Sequence, residues 1–148
     1  MADTRMTVSE RDRFLAKPFV GVISIEHTNP DRPPVSSPIW YDYDPAVGVW
    51  ILTGPRSVKG KALHTAQAYT MVVQDETPPY RYVSVSGPII EERPADRERD
   101  LRPMAHRYSD TPEAGDAYAD SYPDGGFGHV YVMEPRYWLT NDNHKMKG

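Results

Sequence analysis

The chain has 148 residues, no cysteine and a formal net charge of -4. That length suits one domain, expected over 1–148, with a proper core, and the missing cysteines exclude disulfides, thiolate catalysis and cysteine-ligated metals. The acidic balance argues against general nucleic-acid binding, which works through a basic face. No apolar run approaches the roughly 20 residues of a membrane span. The start Met1-Ala-Asp-Thr-Arg5 lacks the apolar centre of a signal peptide, so a cytoplasmic protein without membrane contact is expected.

In chain order, Ser9-Glu-Arg-Asp12 reads as a helix cap and leads into a short helix reaching about Ala16. Phe19 to Glu26 is the first predicted strand, with Phe19, Gly21, Ile23 and Ile25 on one face. Thr28 to Pro34 is dense in turn formers and is expected as a loop. Val35 to Tyr43 is the second strand. Pro38 inside it marks an edge, a bulge or an interrupted ladder. Asp44 to Gly48 turns the chain back into a third strand, Val49 to Thr53.

The most informative stretch follows: Thr53-Gly-Pro-Arg-Ser-Val-Lys-Gly-Lys-Ala-Leu63. A strand ends, and a short helix after Ser57 runs to about Thr65. Free N–H groups and the positive end of a helix dipole favour an anion there. Ser57 supplies a hydroxyl, and Lys59 and Lys61 supply charge. With Arg56 they form a basic cluster in an acidic chain. The competing reading is a solvated basic loop.

Tyr69 to Asp75 and Tyr80 to Gly87 are the next strands, the latter alternating Arg81, Val83 and Val85 with Tyr82, Ser84 and Ser86. The run Glu91 to Asp100, acidic residues interleaved with arginines, reads as a solvated helix face. Leu101, Met104, Ala105 and Tyr108 then recur with helical spacing, and Pro103 predicts a helix start or kink. Thr111-Pro-Glu113 caps a further helix, Gly125 to Gly128 reads as a turn, and His129 to Met133 and Arg136 to Thr140 return to strand. The pattern is that of a mainly β domain, a small antiparallel barrel with inserted helices.

Five histidines are scattered without paired spacing, so no metal site is expected. No nucleophile elbow is present. Trp40 and Trp50 lie in strands, where packing is the ordinary role of tryptophan.

The ordered set Pro38-Ile-Trp-Tyr41, Trp50-Ile-Leu-Thr53, Ser57-Val-Lys-Gly-Lys-Ala-Leu63, Val72-Val-Gln-Asp-Glu76, Pro79-Tyr-Arg-Tyr-Val83 and Val85-Ser-Gly87 resembles the pyridoxamine 5'-phosphate oxidase-like superfamily. Within it the chain looks most like the deazaflavin (coenzyme F420)-dependent reductases. The resemblance implies a homodimer of six-stranded split barrels with cofactor sites at the subunit interface. The ring would lie against Pro38, Ile39, Trp40, Ile51, Leu52 and Thr53, and the phosphate against Ser57, Lys59 and Lys61. Ser37 stands where the pyridoxamine phosphate oxidases carry an arginine, and Val58 replaces a second basic residue. Both departures count against a pyridoxine-pathway oxidase and weaken the FMN alternative.

The function implied is hydride transfer from reduced F420 to a small conjugated or quinone-like acceptor. FMN, or cofactor binding without turnover, is the alternative. The cofactor carries the hydride chemistry, so no side chain is assigned a catalytic role. Tyr80, Arg81 and Tyr82 either line the acceptor side or simply pair across the sheet.

Overall fold

The computed structural model of the protein describes residues 2–146. Among these, eight strands form one antiparallel sheet: β1 (Gly21–Ile25), β2 (Val35–Ile39), β3 (Tyr41–Asp44), β4 (Gly48–Thr53), β5 (Ala68–Asp75), β6 (Arg81–Pro94), β7 (His129–Met133) and β8 (Tyr137–Asp142). Hydrogen-bonded neighbours run β2-β1-β5-β6-β7-β4-β3, and β8 attaches to β6. β2 and β3 thus lie at opposite ends of the path, yet only Trp40 separates them in sequence. A sheet whose two ends are one continuous piece of chain has to curl on itself; β2 and β3 are not hydrogen-bonded to each other, so the result is a half-barrel open at that seam.

The resemblance implies six strands and the element pattern seven; eight are found. The run Val35 to Tyr43 divides at Trp40 because its halves pair with different partners, β1 and β4. β8, expected as a strand over Arg136 to Thr140, lies outside the path and pairs with β6. Pro38 sits on the end strand β2, opposite Val22, where a missing N–H is tolerated.

β6 is the spine, with its first half paired to β5 and β8 and its second half to β7. The changeover falls at Gly87, where the Glu134 carbonyl passes so close that a Cβ would collide with it.

Beyond Gly87 the charged run is not the solvated helix face that its composition suggests. Glu91 to Pro94 continue β6, and Arg97–Leu101 form a π-helical turn. Asp100 there is only 3% exposed. Arg93 donates two hydrogen bonds to its carboxylate, at 2.6 and 2.8 Å, and the Asp96 N–H adds a third at 2.8 Å. Burial pushes the Asp100 carboxyl up, but these bonds outweigh it and hold the group below the usual carboxylate range.

Helix α1 (Val8–Leu15) is capped by Thr7, two residues before the expected Ser9, through a reciprocal capping box with Glu10. It buries Phe14 and Leu15 in the barrel core, and α2 (Val58–Ala66) buries Ala62 and Leu63 there. Gly21, Ile23 and Ile25 point inward as predicted, joined by Ile51, Met71, Val83 and Val85.

A smaller cluster lies outside the barrel. Leu101, Ala105 and Ala119 pack with Leu52, Tyr122 and Phe127 where α3 (Arg102–Arg107) and α4 (Pro112–Asp120) meet. Pro103 lies in the first turn of α3, where a missing N–H does no harm. Arg107 ties this annex to the barrel. Its guanidinium donates to the carbonyls of Leu15, Ala16 and Lys17 at 2.9, 2.9 and 2.8 Å, where the chain leaves α1, and the Tyr41 hydroxyl shares the first and last of them. No helix among the described residues is long and apolar enough to cross a membrane.

Candidate functional site

Helix α2 starts in the basic segment. Ser57 is its N-cap: its hydroxyl accepts from the Gly60 N–H at 3.0 Å and donates to the Gly54 carbonyl at 2.6 Å. The hydroxyl is therefore spent on shaping the turn. Gly60 packs against Gly54 so closely that no larger residue fits. The amides of Val58 and Lys59, in the first turn, have no acceptor within the helix. Lys59 is half-buried, and Arg56 and Lys61 are exposed. None of the three cations forms an ion pair with a carboxylate among the described residues. Free amides, a helix dipole and uncompensated positive charge coincide, which is the arrangement that holds a phosphate.

The turn before α2 also borders a cleft of about 300 Å³. Thr53 and Gly54 form the shared edge. Leu52, Leu101 and Met104 give the cleft an apolar base, and Trp40, Tyr118 and Tyr122 an aromatic wall. The segment Gly126–Gly128, with Phe127, supplies the remaining side. No charged side chain lines it.

The wall follows from the barrel topology. Trp40 is the residue at which the chain leaves one sheet end for the other, so its side chain belongs to neither strand's ladder. It stacks on Tyr108 at 4.8 Å and 6°, and meets Tyr118 at 5.3 Å and 45°. The Tyr108 hydroxyl accepts from the Tyr41 N–H at 3.2 Å and lies 2.7 Å from the Phe19 carbonyl, which fixes the corner. Tyr118 and Tyr122 share a hydrogen bond of 3.1 Å between their hydroxyls. Burial, with the Tyr122 hydrogen bond, pushes the Tyr118 hydroxyl up to about 12, and burial also raises Tyr108. Both stay neutral at ordinary pH, so the cleft remains uncharged.

The structure divides the residues that the sequence singled out. Trp40, Leu52 and Thr53 line the cleft, and Ser57, Lys59 and Lys61 lie at the adjoining helix start. Ile51 is fully buried in the barrel, and Ile39 packs against the same core. Pro38 is exposed on the outer face of β2. Ser37, at the position of the missing arginine, has a buried hydroxyl without a partner. Tyr80, Arg81 and Tyr82 do not line the cleft; Arg81 pairs with Asp75 at 2.6 Å and faces the Phe14 ring.

The annex half of the site, Leu101, Met104, Tyr118, Tyr122 and Phe127, was not anticipated. Its one trace in the sequence is the pair of tyrosines spaced i, i+4 just before a glycine-rich turn. Among the described residues there is no group of three or more metal-ligating side chains. His64 and His106 are paired instead with Glu92 and Asp116.

The fold is a split barrel. No family model matches the chain, and no curated protein matches it by sequence. Solved structures do. Rv2991, a conserved hypothetical protein from Mycobacterium tuberculosis, shares 22% identity at a TM-score of 0.75, covering 98% of this chain and 90% of that one. An F420 reductase shares 20% identity at a TM-score of 0.68, with 86% and 94% covered. HutZ, the heme storage protein from Vibrio cholerae, shares 11% identity at a TM-score of 0.62, with 90% and 94% covered. At these identities the shared property is the fold.

Proposed function

We propose that this protein is an F420-dependent reductase that transfers a hydride from the reduced deazaflavin to a small conjugated or quinone-like acceptor. One observation carries the reading: an uncharged aromatic cleft and an uncompensated basic helix start share the Thr53–Gly54 edge. That combination suits a ligand with a flat neutral ring and an anionic tail. The likeness in fold to an F420 reductase supports it. No histidine lines the cleft, which favours this ligand over a histidine-ligated haem.

When bound, the deazaflavin supplies two-electron hydride chemistry and reacts slowly with oxygen, which favours a reductase over an oxidase. The chain's own tasks are to bind and to orient. Lys59, Lys61 and Arg56 with the first α2 amides hold the phosphate, and Ser57 keeps the turn in shape for them. Trp40, Leu52 and Thr53 face the ring. Ile51 and Ile39 hold those strands from inside the barrel, and no side chain is assigned a catalytic role.

The test is a titration with F420 and FMN side by side, on the native chain and on Lys59→Ala/Lys61→Ala. Each charge-assisted contact is worth on the order of 1.5–3 kcal/mol, so affinity should fall roughly ten-fold or more with the fold intact. Unchanged affinity removes the phosphate cradle. Tighter binding of FMN than of F420 removes the deazaflavin assignment.

We also infer a homodimer. On the outer sheet face, strand register places Pro38, Val22, Val72, Ser84 and Leu139 in one row across five strands. Val22, Val72 and Leu139 are 41%, 36% and 61% exposed. A largely apolar row of this kind suits a self-complementary partner surface. Light scattering should report twice the 16.8 kDa chain mass, and Val72→Asp should return monomers. A monomeric native chain at micromolar concentration overturns this.

A further inference from the structure

Arg97, at the start of the π-helical turn, touches the segment Ser121–Gly128 at three points. Its Nη2 donates to the Tyr122 carbonyl and lies 3.0 Å from the Asp124 carboxylate. Its guanidinium faces the Phe127 ring at 5.5 Å. The same segment supplies Tyr122, Gly126, Phe127 and Gly128 to the cleft.

Tyr122 and Phe127 also pack against Leu101, Ala105 and Ala119, but few polar ties hold the backbone between them. The start of the segment is tied to α4 by the Ser121 N–H, at 3.1 Å from the Ala117 carbonyl and 3.2 Å from that of Tyr118, and by the Tyr118–Tyr122 hydroxyl bond. From Pro123 onward the backbone contributes one internal hydrogen bond, Gly126 N–H to Pro123 at 3.0 Å, and one to the barrel side, Ala95 N–H to Gly128 at 2.9 Å. Gly125 and Gly128 have φ of 75° and 87°, conformations that glycine adopts freely and that suit a pivot. The far end presses on the shared edge, because a Cβ on residue 128 would come within 2.7 Å of the Thr53 carbonyl.

The three Arg97 contacts are not equal. Asp124 is 97% exposed, so its ion pair is screened and adds little. The Tyr122 carbonyl and the Phe127 face, both half-buried, provide the hold.

We propose that Arg97 is the positioning residue of this cleft: by holding Tyr122 to Phe127 in place it closes the site around an uncharged planar ring, and its release admits and frees that ring. This rests on reading the cleft as the ring site. Arg97 touches no ligand; it acts through Tyr122 and Phe127.

The experiment has two readouts. The first needs no ligand: amide exchange at Gly126 and Ala95 in the native chain, Arg97→Ala, Arg97→Lys and Asp124→Ala. Exchange should accelerate roughly ten-fold or more in Arg97→Ala, the effect of losing a charge-assisted hydrogen bond. It should be intermediate in Arg97→Lys and nearly unchanged in Asp124→Ala, while β6 amides keep their protection. Unchanged exchange at both amides in a folded Arg97→Ala overturns the proposal.

The second readout is dissociation of lumichrome, a neutral flavin-like ring without a phosphate tail, followed by fluorescence. It reports on the cleft without the basic cradle. Release should be roughly ten-fold faster from Arg97→Ala. Faster exchange without faster release would show that the segment does not position the ring, which overturns the proposal. So would failure of lumichrome to bind the native chain. If lumichrome binds as expected and F420 does not, the deazaflavin assignment fails while Arg97 keeps its role.

Discussion

The barrel and the annex are built on different principles. The barrel core joins sixteen buried residues drawn from strands and helices along most of the chain, so each is held from several directions. The annex core has three, Leu101, Ala105 and Ala119, with Leu52, Tyr122 and Phe127 packed on them, and arginines add further ties. Arg93 clamps Asp100, Arg107 reaches the end of α1, and Arg97 holds the segment after α4. Apolar burial gives a rigid wall, and a few polar ties give a part that opens. The cleft lies where the two meet.

The sharpest way to break this comparison is to cut each region at one residue. Ile51→Ala, inside the barrel, should lower global stability by roughly 2–5 kcal/mol, read from urea unfolding. Arg93→Ala leaves the Asp100 carboxylate buried and unpaired, which costs about 3 kcal/mol. That loss should fall on the annex, as faster amide exchange over residues 97–107 with β1 and β5 protected. Equal loss of protection in both regions would mean that they unfold as one unit.

Acid makes the same cut without mutation. The Asp100 carboxyl is depressed in the folded state, so its contribution is present above the ordinary carboxylate range and is lost as pH falls below that range and through the lowered folded value. The annex should therefore open before the barrel on acid titration, and Arg93→Ala, with its annex already loosened at neutral pH, should show no such acid step. The mildest cut is Leu52→Ala, one residue along β4 from Ile51 but facing the annex. It should cost about 1 kcal/mol in stability and weaken ring binding measurably. A loss as large as that of Ile51→Ala would remove the distinction between the two faces of β4.

What the sequence disclosed follows the same division. Strand alternation and the basic helix start are local patterns, legible from neighbours such as Ile23 and Ile25, or Ser57 and Lys59. The break at Trp40 was hidden because Pro38-Ile-Trp-Tyr41 reads as one extended apolar run, and a change of ladder partner leaves no mark on composition. Asp100 was misread because a charged run looks solvated unless its partner is known, and Arg93 reaches it from a strand. Tyr118 and Phe127 join the cleft only through tertiary packing, which no period encodes.

Trp40 has one more consequence. A single residue spans the seam of the barrel, so there is no slack between its two ends: consecutive Cα atoms are about 3.8 Å apart, and three bridge Ile39 to Tyr41. In mechanical terms Trp40 is the hinge pin of an open ring, and its indole is also the wall on which the proposed ring would lean. On the proposed reading a ring seated there would brace the joint itself, and occupancy of a peripheral cleft would raise the resistance of the whole barrel to opening.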